Sequence, residues 1–372
     1  MIEEFRTLID ADPIVRMYLE RMIAEVPETD TYRVRHLTDV EHMLSLINHV
    51  LTQAPDYDDT ALVGTPINAI LDWSMGTPAG FAAFRHPPIN EAFRRILEAW
   101  CEFLSSPRSL YVLNDGPTGW KCAAARAAMG MDDFEHDPRD THWGFASWND
   151  FFTRRFKPGR RPIAEPDNPE TVVNACESTP YKIGFHASRR DTFWLKSQPY
   201  SLRDMLADDE EADRFDGGTV YQAFLSALNY HRWHSPVAGT IRKAFVQPGT
   251  YYSELEAEGE DPAGPNNSQG FITHVATRAL IFIDAEDPAI GQMVFIAVGM
   301  GEVSSCMIGG EIAPGRQVRK GDELGYFQFG GSTHCLVFRP GAIADFATAA
   351  APDPENPHPR AVLLGEKLAT AG

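Results

Sequence analysis

The stretch Phe329-Gly330-Gly331-Ser332-Thr333-His334 interrupts two strand-like runs near the C-terminal end of the chain. Gly325-Tyr326-Phe327-Gln328-Phe329 precedes it and His334-Cys335-Leu336-Val337-Phe338 continues it, aromatic and β-prone on both sides. Two glycines and two hydroxyl residues weaken the backbone between them. The plainer reading is a strand with a glycine bulge and an exposed Ser-Thr pair. The chemical reading starts from the bond between Gly331 and Ser332. A serine hydroxyl can reach the carbonyl carbon before it, and glycine, without a Cβ, tolerates the backbone angles that this approach needs. Ser332 would then attack Gly331, the chain would break there, and Ser332 would become a pyruvoyl group.

Outward from this point, Val318-Arg319-Lys320-Gly321-Asp322-Glu323-Leu324-Gly325 reads as strand, turn and strand leading into the stretch. Short β-prone runs divided by Gly and Pro lie upstream, among them Val172–Cys176, Gly239–Ile241, Ala279–Ile283 and Met293–Val298. Their spacing predicts an antiparallel, barrel-like β domain with a few helices. Residues 254–270 and 351–360 read as mobile loops.

A serine hydroxyl needs a base, and imidazole titrates in the right range. Tyr230-His231-Arg232-Trp233-His234-Ser235-Pro236 offers two histidines three residues apart. On a strand such positions face opposite ways, so only a turn would bring both to one site. An acid behind the imidazole would fix its tautomer, and spacing alone does not identify it. Glu177, just beyond the Val172–Cys176 strand, is one of many carboxylates available.

Residues 1–115 read as helical. Asp12-Pro13, Thr65-Pro66, Thr77-Pro78 and Pro87-Pro88 are helix starts, and Thr38-x-x-Glu41 is a capping box before Val40, Met43, Leu44, Ile47 and Val50. His42 and His49 lie two turns apart with no third partner, which favours packing or surface roles over metal ligation. No metal site is expected. Residues 116–144 form a mixed connector. Trp148–Phe156 then reads as a short helix, ended by the basic turn Lys157-Pro158-Gly159-Arg160-Arg161-Pro162, which is either solvated charge or a holder for a carboxylate.

Among 372 residues, Lys and Arg number 33 against 52 Asp and Glu, a net charge of −19. That balance speaks against nucleic acid or an anionic membrane as the main partner. Five scattered cysteines without a CxxC pair favour a reducing, cytoplasmic setting. The N-terminus lacks a signal-peptide pattern, and the longest apolar stretch, 62–84, is broken by Pro66, Asp72 and Pro78.

Four ordered motifs resemble those of the phosphatidylserine decarboxylases: Phe151-Phe152-Thr153-Arg154-Arg155-Phe156-Lys157-Pro158-Gly159, Tyr230–Pro236, Lys320–Phe327 and Gly331-Ser332-Thr333. Tyr200-Ser201-Leu202 and Gly365-Glu366-Lys367-Leu368-Ala369 add weaker matches, and the resemblance covers 145–372. Val63–Asn68, Trp73–Phe81 and Trp100–Leu104 are similar to the helical domain of a soluble branch that includes the fungal L-tryptophan and related aromatic amino acid decarboxylases.

The resemblance implies an α+β protein: an N-terminal helical domain (1–115), a connector (116–144) and a pyruvoyl decarboxylase domain (145–372). Self-cleavage between Gly331 and Ser332 would give a β chain of 1–331 and an α chain of 332–372. His234 matches the self-processing base and His231 the histidine of the decarboxylation step. Glu177 stands where the family's triad has aspartate, one methylene longer. The cofactor implied is pyruvate, as a covalent pyruvoyl group from Ser332, doing the work of pyridoxal phosphate, which is not expected. Its carbonyl would condense with the substrate amine and accept the electrons released as carbon dioxide leaves, with His231 returning a proton to the α-carbon.

An amino acid is the first substrate expectation, tryptophan above other aromatics, and phosphatidylserine is the alternative. Residues 1–30 carry Glu3, Glu4, Asp10, Asp12, Glu20, Glu25, Glu28 and Asp30 against Arg6, Arg16 and Arg21, so anionic headgroups would be repelled and no stable membrane association is expected. An inactive binding module with the same fold is a third reading, opposed by the intact Gly331-Ser332 and His234. The oligomeric state is not legible.

Overall fold

The computed structural model describes residues 1–372 except 29–35, 59–64, 192–198, 227, 258–267, 303–304, 331, 354–355 and 357–358. Proline and capping signals set the helices of the N-terminal part. α1 (Ile2–Ala11) ends at Asp12, whose carboxylate accepts the Ile14 N–H at 2.8 Å and opens α2 (Pro13–Ala24). α3 (Val40–Val50) is capped by Asp39, which accepts the His42 N–H at 2.8 Å. The box expected from Thr38 is thus displaced by one residue. The Asp39 carboxylate takes the free N–H, and the Thr38 hydroxyl turns to Asp39 and the His42 ring. α4 (Pro66–Met75), α5 (Pro78–Ala83) and α6 (Pro87–Leu104) begin at the other prolines, with Thr77 capping Gly80 at 3.0 Å. α7 (Ala123–Met129) lies within the connector. α8 (Trp148–Phe152) stops four residues short of the expected Phe156, because Arg154 leaves the helix to donate to the carbonyl of Leu228 at 2.9 Å.

The remainder holds β1 (Thr171–Val173), β2 (Thr179–Ala187), α9 (Leu202–Met205), β3 (Gly218–Leu225), β4 (Arg232–His234), β5 (Gly239–Gln247) and α10 (Gln269–Val275). It continues through β6 (Arg278–Ala285), β7 (Gln292–Gly299), β8 (Cys306–Ile308), β9 (Gln317–Val318), β10 (Glu323–Phe327), β11 (Ser332–Phe338), β12 (Ile343–Phe346) and β13 (Lys367–Ala371). The largest sheet has the order β2-β3-β11-β7-β6-β5-β9, antiparallel throughout, beside two small sheets, β4-β10-β8 and β1-β13-β12. The α+β class holds, with a correction to its β part. Among the described residues the sheet is open, because β2 pairs only with β3 and the two-residue β9 only with β5. A barrel would need those edges to join.

β6, β7 and β11 are buried along nearly their whole lengths, hence the unbroken apolar run 293–298 in place of strict alternation. One face packs on Trp233, Leu324 and Phe327 of the small sheet, the other on Phe271 and Ile272 of α10. The helices make a third layer around Trp100, Trp120 and Trp148, and Phe329 is built into it. The Phe329 ring meets Trp100 edge-on at 4.7 Å and Phe152 at 5.4 Å. Helical layer and sheet therefore share the residue three positions before Ser332.

Candidate active site

Ser332 opens β11, an inner strand, opposite Leu225 of β3 and Gly299 of β7, and is fully buried. Gly331 lies outside the described residues. Gly330 sits at φ +129°, a region that favours glycine.

His231 is the imidazole at Ser332: its Nδ1 is 3.5 Å from the Ser332 Oγ. Its Nε2 lies 3.0 Å from the Ser226 carbonyl, which can only accept, so Nε2 carries the proton and Nδ1 presents a lone pair to the hydroxyl. The ring is fully buried and stacked on Phe152 at 4.1 Å. A backbone carbonyl thus sets the tautomer, a task that had been expected of a carboxylate.

His234 faces elsewhere. Its Nδ1 donates to the Gly321 carbonyl at 2.7 Å and its Nε2 accepts from the Tyr230 hydroxyl at 2.9 Å. Burial lowers its pKa, against the opposing pull of the Gly321 carbonyl, so the ring stays neutral. The two histidines diverge, as three-residue spacing on an extended segment requires. Gly321 reaches His234 because it sits at φ +82°, where a Cβ would stand 2.5 Å from Ile163.

Glu177 is held by Arg161, which also pairs with Asp133 at 2.9 Å. The basic turn therefore holds carboxylates of the chain itself. No hydrogen bond joins Glu177 to either histidine among the described residues. Arg232 ties the motif down, donating to the Thr153 carbonyl and to Glu323, each at 2.7 Å.

Sequence reasoning missed the carbonyls of Ser226 and Gly321, which no side-chain pattern can reveal. It also missed the Thr333 network on the opposite face of β11: Gln222 donates to Thr333 Oγ1 at 3.1 Å and to the Gln269 carbonyl at 3.0 Å, and accepts from Tyr200 at 2.7 Å. His334, on the Ser332 face, is fully buried, and burial takes its pKa down to about 3, so it is neutral. The assembled site is a fully buried serine whose hydroxyl faces the Nδ1 of a buried imidazole.

Comparison with known proteins gives the chain relatives in sequence. The family model described as phosphatidylserine decarboxylase matches residues 148–369, and a second model of that description matches residues 1–129. The decarboxylase iboD of Amanita muscaria is 40% identical over 303 residues, covering 76% of this chain and 86% of that protein. An L-tryptophan decarboxylase of Psilocybe cubensis is 32% identical over 362 residues, 91% of this chain and 80% of that protein. A phosphatidylserine decarboxylase proenzyme of Chlamydia trachomatis is 29% identical over 276 residues, 74% of this chain and 82% of that protein.

Proposed function

The chain belongs to the phosphatidylserine decarboxylase family and is a carboxy-lyase, and from that premise we propose that it decarboxylates an aromatic L-amino acid, tryptophan above all, on a pyruvoyl group made from its own Ser332. The observation that carries the reading is the buried Ser332 hydroxyl facing the lone pair of His231. His231 accepts the hydroxyl proton as Oγ bonds to the Gly331 carbonyl carbon and the peptide C–N bond breaks. A base then takes the Ser332 Cα proton as Oγ leaves with the Gly331 carboxylate, and the dehydroalanine left at position 332 tautomerises to an imine. Water replaces the nitrogen left at position 332, which departs as ammonia. The resemblance gave the self-processing role to His234. The geometry favours His231 there, with His234 bracing Tyr230 and Gly321.

The residues fit such a group. Position 332 is dry, held by ladders on both sides, and carries an imidazole at hydrogen-bonding range. A pyruvoyl carbonyl condenses with an amine and takes up the electrons released as carbon dioxide leaves. His231, reprotonated from solvent in each turnover, returns a proton to the substrate α-carbon.

For the substrate, the L-tryptophan decarboxylase relative matches 91% of this chain. No helix among the described residues is long and apolar enough to cross a membrane. A denaturing gel tests the cofactor claim: wild type should release the fragment 332–372 and Ser332→Ala should not. Carbon dioxide release from tryptophan, phenylalanine and phosphatidylserine tests the substrate. An intact single band for wild type, or turnover of the lipid alone, would refute the proposal.

A further inference from the structure

Glu302 follows Gly299, the residue paired with Ser332, by three positions, and its side chain is 1% exposed. Its Oε1 accepts the Asn68 N–H of α4 at 2.8 Å, while its Oε2 has no partner among the described residues. The Asn68 side-chain oxygen is also buried without a partner, and it lies against Gly301, where a Cβ would stand 3.7 Å away. Glu254, 1% exposed, has neither oxygen paired, and the Tyr252 hydroxyl beside it in sequence is likewise unpaired. Glu254 interacts electrostatically with Asp72, one turn beyond Asn68 on α4, and Tyr252 with Glu302, so these groups form one cluster. No ion pair involves Asp72, Glu254 or Glu302 among the described residues. Burying so many polar oxygens without partners is costly, and native interiors rarely tolerate it unless a ligand or a water completes the hydrogen bonds.

We propose that Asn68, Glu254 and Glu302 read the substrate side chain and select one that ends in an N–H donor, as an indole does, over one that lacks it. This rests on the reading that the substrate is an aromatic amino acid. Burial pushes the Glu302 carboxyl up to about 8 and Asp72 to about 6, and raises Glu254 well above the usual range. The cluster therefore offers the Glu302 and Glu254 carboxyls in neutral form beside the Asn68 amide oxygen, which suits a neutral ring N–H and disfavours an anionic phosphate. Tyr252 supplies an aromatic wall, backed by Phe93 at 5.2 Å and Phe84 at 6.1 Å.

The test compares L-tryptophan with L-3-benzothienylalanine, in which sulfur replaces the ring N–H at nearly the same shape, on the processed wild-type enzyme. A site built around a donor should lower kcat/KM for the sulfur analogue on the order of 10²-fold or more. Glu302→Gln, Glu254→Gln and Asn68→Ala should each narrow that ratio; Asn68→Ala keeps the backbone N–H that Glu302 uses. Fragment formation reports whether each variant folds, and the wild-type comparison needs no variant. Equal kcat/KM for the two amino acids would overturn the pocket while leaving the decarboxylase reading intact. Turnover of phosphatidylserine alone would overturn both.

Discussion

The Nδ1 of His231 lies 3.5 Å from the Ser332 hydroxyl, although the two residues are 101 positions apart. What makes the contact chemically useful is a third group, the Ser226 carbonyl, which holds the proton of His231 on the far nitrogen. His231→Ala should therefore slow appearance of the 332–372 fragment on the order of 10²-fold or more, the usual worth of a positioned base. The check is a time course of freshly folded precursor on a denaturing gel. Cleavage at the wild-type rate in His231→Ala would hand the base role to His234.

His234 has a structural signature of its own. Replacing it by alanine leaves the Tyr230 hydroxyl and the Gly321 carbonyl unpaired inside the protein. Each orphaned group costs about 1–3 kcal/mol. Urea unfolding of His234→Ala in a Ser332→Ala background, where no cleavage intervenes, should show a loss of about 2–6 kcal/mol for the two together. A variant as stable as its parent would mean that the bracing contacts contribute nothing.

Gly321 connects the turn to the histidine. At φ +82°, alanine is strained, and its Cβ would meet the Ile163 side chain at 2.5 Å. Gly321→Ala should cost about 1–3 kcal/mol and loosen the Gly321 carbonyl from His234. Thermal unfolding measures the first effect. The second should appear as a further downward move of the His234 titration by NMR, since the Gly321 carbonyl is what now opposes the effect of burial.

These relationships mark where sequence reading reached and where it stopped. Local chemistry was legible: Asp12-Pro13, Thr77-Pro78 and Pro87 open helices because a cap or a fixed φ acts within one turn. The glycine interruption of the strand was legible too, and Gly330 has a φ of +129° that favours glycine. Strand partners were not. β11 pairs with β3 over more than 100 residues, and nothing local separates an open sheet from a barrel when both faces are buried. Glu177 was paired with a histidine because the resemblance puts it in the place of the triad acid, while Arg161, in a turn whose role stayed open, holds it.

Glu302 gives a pH dependence with a definite sign. Burial raises its carboxyl from 4.5 to about 8 in the folded protein, so between those values the folded state binds more protons than the unfolded chain. Its contribution to stability is complete below about 4.5 and is lost as pH rises towards about 8. Glutamine keeps an oxygen for the Asn68 N–H and does not titrate. The Tm of wild type should therefore fall relative to that of Glu302→Gln across this window and run parallel to it above. Parallel curves throughout would show that Glu302 titrates normally.

The two pieces expected from cleavage should stay together. β11, the start of the C-terminal piece, is laddered along all of Ser332–Phe338 to β3 on one side and β7 on the other. β13, at its far end, pairs with β1 of the N-terminal piece, and Leu336, Phe338 and Leu368 lie in the shared core. Removing 332–372 would open the middle of the sheet, so gel filtration without denaturant should give one peak containing both pieces. Once unfolded, however, the pieces must find each other again. Refolding of processed protein from denaturant should become faster with concentration, whereas Ser332→Ala precursor should refold at a rate independent of it. Release of the 332–372 fragment in native buffer, or identical concentration behaviour for the two proteins, would contradict the role assigned to this central strand.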